Sequence, residues 1–193
     1  KILEAAEAAF AEKGFYGARV DEITETAGVN KRMIYAYYGS KEKLYIAVLD
    51  TVYKRLAERE KDLLDKETDC VSAVRNIIHH AFLFLYENPT FVKMVMWENL
   101  NEAAYLKQSE AVHAKGISID LLRRVLRQGM EEGVFRKGLD VEELIVSINM
   151  FCYSYFSNIY TMALIMGAEL NGKKEVIKRC EHVTDIILQY IQA

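Results

Sequence analysis

The stretch Val20-Asp21-Glu22-Ile23-Thr24-Glu25-Thr26-Ala27-Gly28-Val29-Asn30-Lys31-Arg32-Met33-Ile34-Tyr35-Ala36-Tyr37-Tyr38-Gly39-Ser40-Lys41-Glu42-Lys43 decides the fold. Val20, Ile23 and Ala27 share one face of a short helix at spacings of three and four. Gly28 turns the chain, and Asn30 is a good N-cap for a third helix from Lys31 to Tyr37. Val29 and Ile34 anchor that helix and leave Lys31, Arg32, Met33, Tyr35 and Tyr37 to project. Gly39-Ser40 is a second break, after which a long helix runs to about Asp65. Three short helices with a glycine turn between the second and third have the geometry of a helix-turn-helix. From Asn30 to Lys43 there are four cations (Lys31, Arg32, Lys41, Lys43) and one anion (Glu42), a local +3 on a chain of net charge −3. Tyrosines interleave those cations, so hydroxyls can reach phosphates while rings pack on sugars or thymine methyls. On pattern alone, a charged helical pair inside a bundle remains an equal reading.

Working outward, 51% hydrophobic and 27% charged residues in 193 exclude wholesale disorder. One proline and ten glycines supply too few turns for a sandwich or barrel. The three cysteines, Cys70, Cys152 and Cys180, are odd in number and form no CxxC pair, which fits a reduced cytoplasmic setting. The opening Lys-Ile-Leu-Glu is already at helical spacing and does not read as a signal peptide. Residues 144–168 carry no charge at all, long enough to span a bilayer. Polar residues and Tyr153, Tyr155 and Tyr160 stand in the middle of that run, where membrane belts do not place them. A helix apolar all round is otherwise buried on every side, which points to a second subunit.

The remaining pattern is helical throughout, so the expected class is all-α with about nine helices. Gly14 ends the first helix, whose inner face is Ile2, Ala5, Ala6, Ala9 and Phe10. Leu44, Val48, Leu49, Val52 and Leu56 stripe the fourth, and a domain boundary falls inside it, dividing the chain into 1–47 and 48–193. Thr68 or Asp69 caps a fifth helix reaching Glu87, and Asn88-Pro89 starts the next. A long helix is expected from Ala103 to Glu132 with a break near Gly116. Asp140 caps the uncharged helix, and a last one carries Val176, Val183, Ile187 and Ile191.

The segments Gly14 to Ile23, Ala27 to Lys31 and Ile34 to Leu44 closely resemble the DNA-binding domain of TetR-family (tetracycline-repressor-like) transcriptional regulators. The resemblance covers the first quarter of the chain; beyond it only the helical style agrees. It implies a third helix in the major groove, with base contacts at Lys31, Arg32 and Tyr35 and phosphate contacts at Tyr37 and Lys41. Relatives commonly have threonine or serine at Arg19, capping the second helix; arginine here can still meet a phosphate. Many have a small residue at Arg32 and threonine at Met33, which makes Arg32 an added guanine reader. The larger helical domain is implied to bind a small effector and to form the dimer.

Other features read more plainly. Tyr38 shares a face with Ile34 and is expected in the core, and Tyr37 toward DNA. His79-His80 is no metal pair, because adjacent helical positions point about 100° apart. Glu98 and Glu102 read as a solvated surface pair. No nucleophile–base motif, phosphate-binding glycine loop or HExxH is present, so an enzyme is not expected. An aromatic-polar set, His79, Phe82 and Tyr86 with Met94, Trp97 and Asn101 and with Phe151, Tyr155 and Asn158, is the expected effector lining. Ile148, Cys152, Phe156 and Ile159, with Val176, Val183 and Ile187, are the expected dimer face. The resulting expectation is a cytoplasmic homodimeric repressor, released from a palindromic operator by a small molecule, without cofactor, metal or membrane. The alternative is a helical ligand-binding or scaffold protein that has lost operator binding.

Overall fold

A computed structural model describes residues 1–63, 69–110 and 116–193. Among them are ten α-helices: α1 (Ile2–Gly17), α2 (Val20–Ala27), α3 (Lys31–Tyr38), α4 (Lys41–Glu60), α5 (Cys70–Glu87), α6 (Pro89–Leu100), α7 (Ile117–Glu131), α8 (Val141–Ser157), α9 (Ile159–Met166) and α10 (Lys173–Ile191). They fall into two compact units, residues 1–57 with 88–114 and residues 58–87 with 115–193. The expected cut at 47/48 lies inside α4, whose last turn belongs to the second unit.

In the first unit α1 packs against α2 and α6. Gly14 interrupts α1 with φ +67° and ψ 178°, a conformation nearly restricted to glycine. The Trp97 ring of α6 fills the space beside it, and its Nε1 donates to the carbonyl of Ala11 at 3.2 Å. A second tie is polar. Arg55 of α4 forks onto Glu7 of α1 at 2.8 and 3.0 Å, and the Thr90 hydroxyl of α6 donates to the same carboxylate. Ile23, Ile34, Leu44, Tyr45, Val48 and Leu49 complete this core.

The second unit is built around α5, which packs on α7, α8 and α10 through Val74, Ile77, Ile78 and Phe82. Asp69 caps α5 by accepting from the Ser72 N–H at 2.9 Å, while Thr68 lies outside the described residues. Gly129 of α7 lets the Phe135 ring lie against its backbone; an added Cβ would stand 2.1 Å from that ring.

Two expectations change. The helix expected from Ala103 does not begin there, and α7 starts at Ile117, beside the break expected near Gly116. The chain leaves the helix after Leu100, takes positive φ at Glu102 and Ala103, and folds back so that the Leu106 N–H reaches buried Glu98 at 2.7 Å. Glu98 is therefore an interior anchor and not half of a solvated pair. The uncharged helix is two helices, broken at Asn158 (φ −113°, ψ 7°). Within this one chain only one side of it is covered: Leu164 and Ile165 of α9 are 84% and 77% exposed. No helix among the described residues is long and apolar enough to cross a membrane.

Candidate nucleic-acid interface and ligand cavity

The reading head is assembled by short-range rules. Gly28, left-handed at φ +65°, closes α2 as the Val29 N–H reaches back to the Thr24 carbonyl at 3.0 Å. Asn30 caps α3, its Oδ1 accepting from the Arg32 N–H at 2.8 Å. Ile23 and Ile34, both fully buried, lock the two helices together. The rest of α3 is left open: Tyr37 is 69% and Tyr35 45% exposed, and Lys31, Arg32 and Met33 are exposed as well. Tyr38 is half-buried. Arg19 sits at the N-cap of α2 in extended backbone without a side-chain cap bond, as follows for a side chain that has donors only.

Two cations are held in ways the sequence did not reveal. Lys31 pairs with Asp21 across the turn at 2.7 Å, and that hydrogen bond raises its pKa. An exposed pair of this kind is weak and exchanges readily for a phosphate. Lys41 opens α4, where the Ser40 hydroxyl caps the Lys43 N–H, and its ammonium lies 4.8 Å over the Phe15 ring. Partial burial pushes the Lys41 pKa down from its usual value. Phe15 in turn packs on Tyr105 (4.4 Å) and Tyr45 (5.4 Å), and Tyr45 on Phe10 (4.9 Å). Burial, with Glu98 nearby, pushes the Tyr45 phenol far up and the Tyr53 phenol up to about 12. The 101–110 segment thus buttresses the base under Lys41. Its aromatic spacing carries no periodic signal, because the partners are some 60 to 90 residues apart in sequence.

The expected effector lining divides. Phe82, Tyr155 and Phe156 meet in the second unit, with ring centroids 6.1 and 5.7 Å from Phe82. His79 stands half-buried on the same helix as Phe82, its Nε2 buried without a hydrogen-bond partner; burial, then Arg75, lower its pKa. Phe151 is half-buried and Tyr86 exposed. Met94, Trp97 and Asn101 belong to the first unit: Met94 is core, Trp97 covers Gly14, and Asn101 donates to the Trp97 carbonyl at 2.9 Å. A cavity of about 770 Å³ opens instead among α8, α9 and α10. Tyr155 and Asn158 line it, joined by Met162, Met166, Leu170 and Arg179, which sequence periodicity did not single out.

The residues expected at a dimer face turn out to serve this chain's own core. Ile148, Cys152, Ile159, Val176, Val183 and Ile187 are all buried within it, and Phe156 packs on Phe82 and Tyr155. Burial also holds the Cys152 thiol up at about 12. The apolar residues left exposed are neighbours on the same helices: Val146 and Met150 on α8, Tyr160, Met162, Leu164, Ile165 and Met166 on α9, and Ile177, Ile186 and Tyr190 on α10.

Residues 2–48 match the family model for bacterial regulatory proteins, tetR family, and residues 71–187 match a tetracyclin repressor-like C-terminal domain. The chain is 31% identical over 189 residues to the HTH-type transcriptional repressor NicS of Pseudomonas putida, covering 97% of this chain and 89% of that one. It is 29% identical over 148 residues to the HTH-type transcriptional repressor SCO4008 of Streptomyces coelicolor (75% and 71% covered). Among solved structures it shares its fold with the ketosteroid transcriptional regulator KstR2 of Mycobacterium tuberculosis, TM-score 0.76 at 22% identity over 100% and 93% of the chains. It shares it also with the regulator FadR of Bacillus subtilis in complex with stearoyl-CoA, TM-score 0.70 at 19% identity over 99% and 98%.

Proposed function

The chain belongs to the tetR family of bacterial regulatory proteins, and from that premise we propose a DNA-binding transcriptional repressor that a small organic ligand releases from its operator. It is a regulator and not an enzyme, like the repressors it is related to. In this proposal α3 enters the major groove. Lys31, Arg32, Met33 and Tyr35 face base edges, while Arg19, Tyr37 and Lys41 hold phosphates. The observation that carries the reading is how much of α3 is left open: Ile34 is fully buried, while Lys31, Arg32, Met33, Tyr35 and Tyr37 are exposed above the Asn30 cap.

A helix-turn-helix reads an operator with two heads about 34–36 Å apart, so the proposal includes a homodimer. The exposed apolar residues of α8 and α10 are its seam in this reading, and the protein works in the cytoplasm, with the DNA. The lever is α4, one continuous helix with Lys41 in its first turn and Glu60 in its last. The ligand acts by binding the non-DNA-binding arrangement more tightly; a coupling of about 1–3 kcal/mol changes operator affinity roughly 5- to 150-fold.

Site-directed change separates base reading from charge. Lys41→Ala weakens binding to all duplexes alike and flattens the salt dependence, while Arg32→Ala costs about 1–3 kcal/mol at one base position only. Equal losses from Arg32→Ala on every sequence refute the base-reading role.

A further inference from the structure

We propose that the cavity among α8, α9 and α10 binds an organic monoanion, a carboxylate on a flexible apolar body, with Arg179 as its anchor; that this ligand is the releasing effector rests on the function proposed above. At about 770 Å³ the cavity lies in the range of small-ligand sites. Its walls are of two kinds. Met162, Met166, Leu170 and the Tyr155 ring form an apolar body of adaptable side chains, two of them unbranched thioethers that suit a flexible guest. Arg179 from α10 supplies the charge.

Arg179 is held without an anion. Its guanidinium lies 6.0 Å over the Tyr155 ring, its Nε is buried with no hydrogen-bond partner, and no carboxylate among the described residues stands within ion-pair distance. The natural internal partner, Glu175 one turn earlier, is turned away. Its Oε2 lies 2.4 Å from where a Gly172 Cβ would be, and Glu169 Oε1 3.7 Å from the same point, so both cavity acids gather at the Gly172 turn. The Tyr155 hydroxyl donates to the Leu170 carbonyl and pins that turn to α8. The cavity acids are thus gathered at the Gly172 turn, and the guanidinium lies over the Tyr155 ring without an ion pair among the described residues. Arginine cannot relieve an unpaired buried N–H by losing its proton. A carboxylate answers it with two oxygens in the geometry of the guanidinium fork. Lys178 and His182 line the same side of α10 and add donors for the same head group. A cationic guest would face this cluster, and a neutral one would leave the Nε unanswered.

The test uses the full-length chain and three guests of one body length: decanoate, decan-1-ol and decyltrimethylammonium, measured by titration calorimetry. Decanoate should bind saturably, the alcohol at least tenfold more weakly, and the ammonium not at all. Arg179→Gln should weaken decanoate about 10- to 100-fold and leave the alcohol unchanged, the size of a charge-assisted pair. Arg179→Lys should recover part of that loss. Equal affinity for acid and alcohol, or decanoate binding unchanged in Arg179→Gln, overturns the proposal. Should Arg179→Gln fail to fold, Met166→Glu on the exposed rim decides: it places a carboxylate in the wall and should expel decanoate, and retained affinity overturns the proposal. Anisotropy of a labelled, selected operator duplex is read in the same titrations. Decanoate bound through Arg179 with the duplex still held keeps the anion site and removes its effector role. A duplex bound by protein that takes up no decanoate removes the site and leaves the DNA-binding function standing.

Discussion

Gly14→Ala puts a methyl group where the structure has an indole. The added Cβ would stand 2.7 to 2.9 Å from three carbons of the Trp97 ring. That ring cannot swing aside freely, because its Nε1 is bonded to the Ala11 carbonyl three residues before the glycine. Two costs combine. Holding alanine at φ +67°, ψ 178° costs about 1–3 kcal/mol, and overpacking against a rigid ring about 1–3 more. A total of roughly 2–6 kcal/mol is a large share of the about 5–15 kcal/mol that folds a domain. Gly28→Ala is the control: its φ is +65°, but a Cβ there meets nothing within 4 Å, so only the left-handed penalty of about 1–2 kcal/mol applies. Urea denaturation followed by far-UV circular dichroism at fixed protein concentration measures both. The overlap should appear as coupling of at least about 1 kcal/mol when Gly14→Ala is combined with Trp97→Ala. Equal losses at Gly14 and Gly28, or no coupling to Trp97, would refute the packing account of how α6 joins the head.

Assembly should respond to charge on the outer stripe and folding to charge on the inner one. Val146→Glu or Ile186→Glu should leave a folded monomer in analytical ultracentrifugation, whereas Ile148→Glu should not fold; a folded dimer in all three would contradict the assignment of faces. Acid stability should depend on Glu7. Burial pushes its pKa up, but the Arg55 guanidinium and Thr90 hydroxyl outweigh that and hold it below the ordinary carboxylate value. Its contribution is therefore fully present above the ordinary value and lost as pH falls through the lower folded one. Glu7→Gln should be destabilised at neutral pH and show a flatter acid limb, measured as urea midpoint against pH.

The parts legible in the sequence are those fixed by neighbours along the chain. The Gly28 turn, the Asn30 cap and the Ile23–Ile34 lock each depend on residues within a dozen positions, and α2 and α3 stand within a residue of where their caps place them. The Gly14 break was legible for the same reason. What covers Gly14 was not: Trp97 is 83 positions away, and an indole on a glycine leaves no periodic trace. Met94, Trp97 and Asn101 therefore looked like ligand lining when they are the wall that α1 leans on. The uncharged run failed differently. With apolar residues on every side of α8 and α9, periodicity could not say which stripe meets α5 and which is left bare. It supplied the core stripe as a dimer face. Glu98 and Arg179 were misjudged or missed because a charge reads as solvated until its surroundings are known.

The central claim is that α3 reads sequence, and selection from a random duplex pool by the native full chain tests it most directly. The account predicts an enriched near-palindrome whose half-site centres lie a whole number of helical turns, about 10–10.5 base pairs each, apart. A pool that returns no enriched sequence, while the same protein still binds bulk DNA in a salt-dependent way, would contradict it.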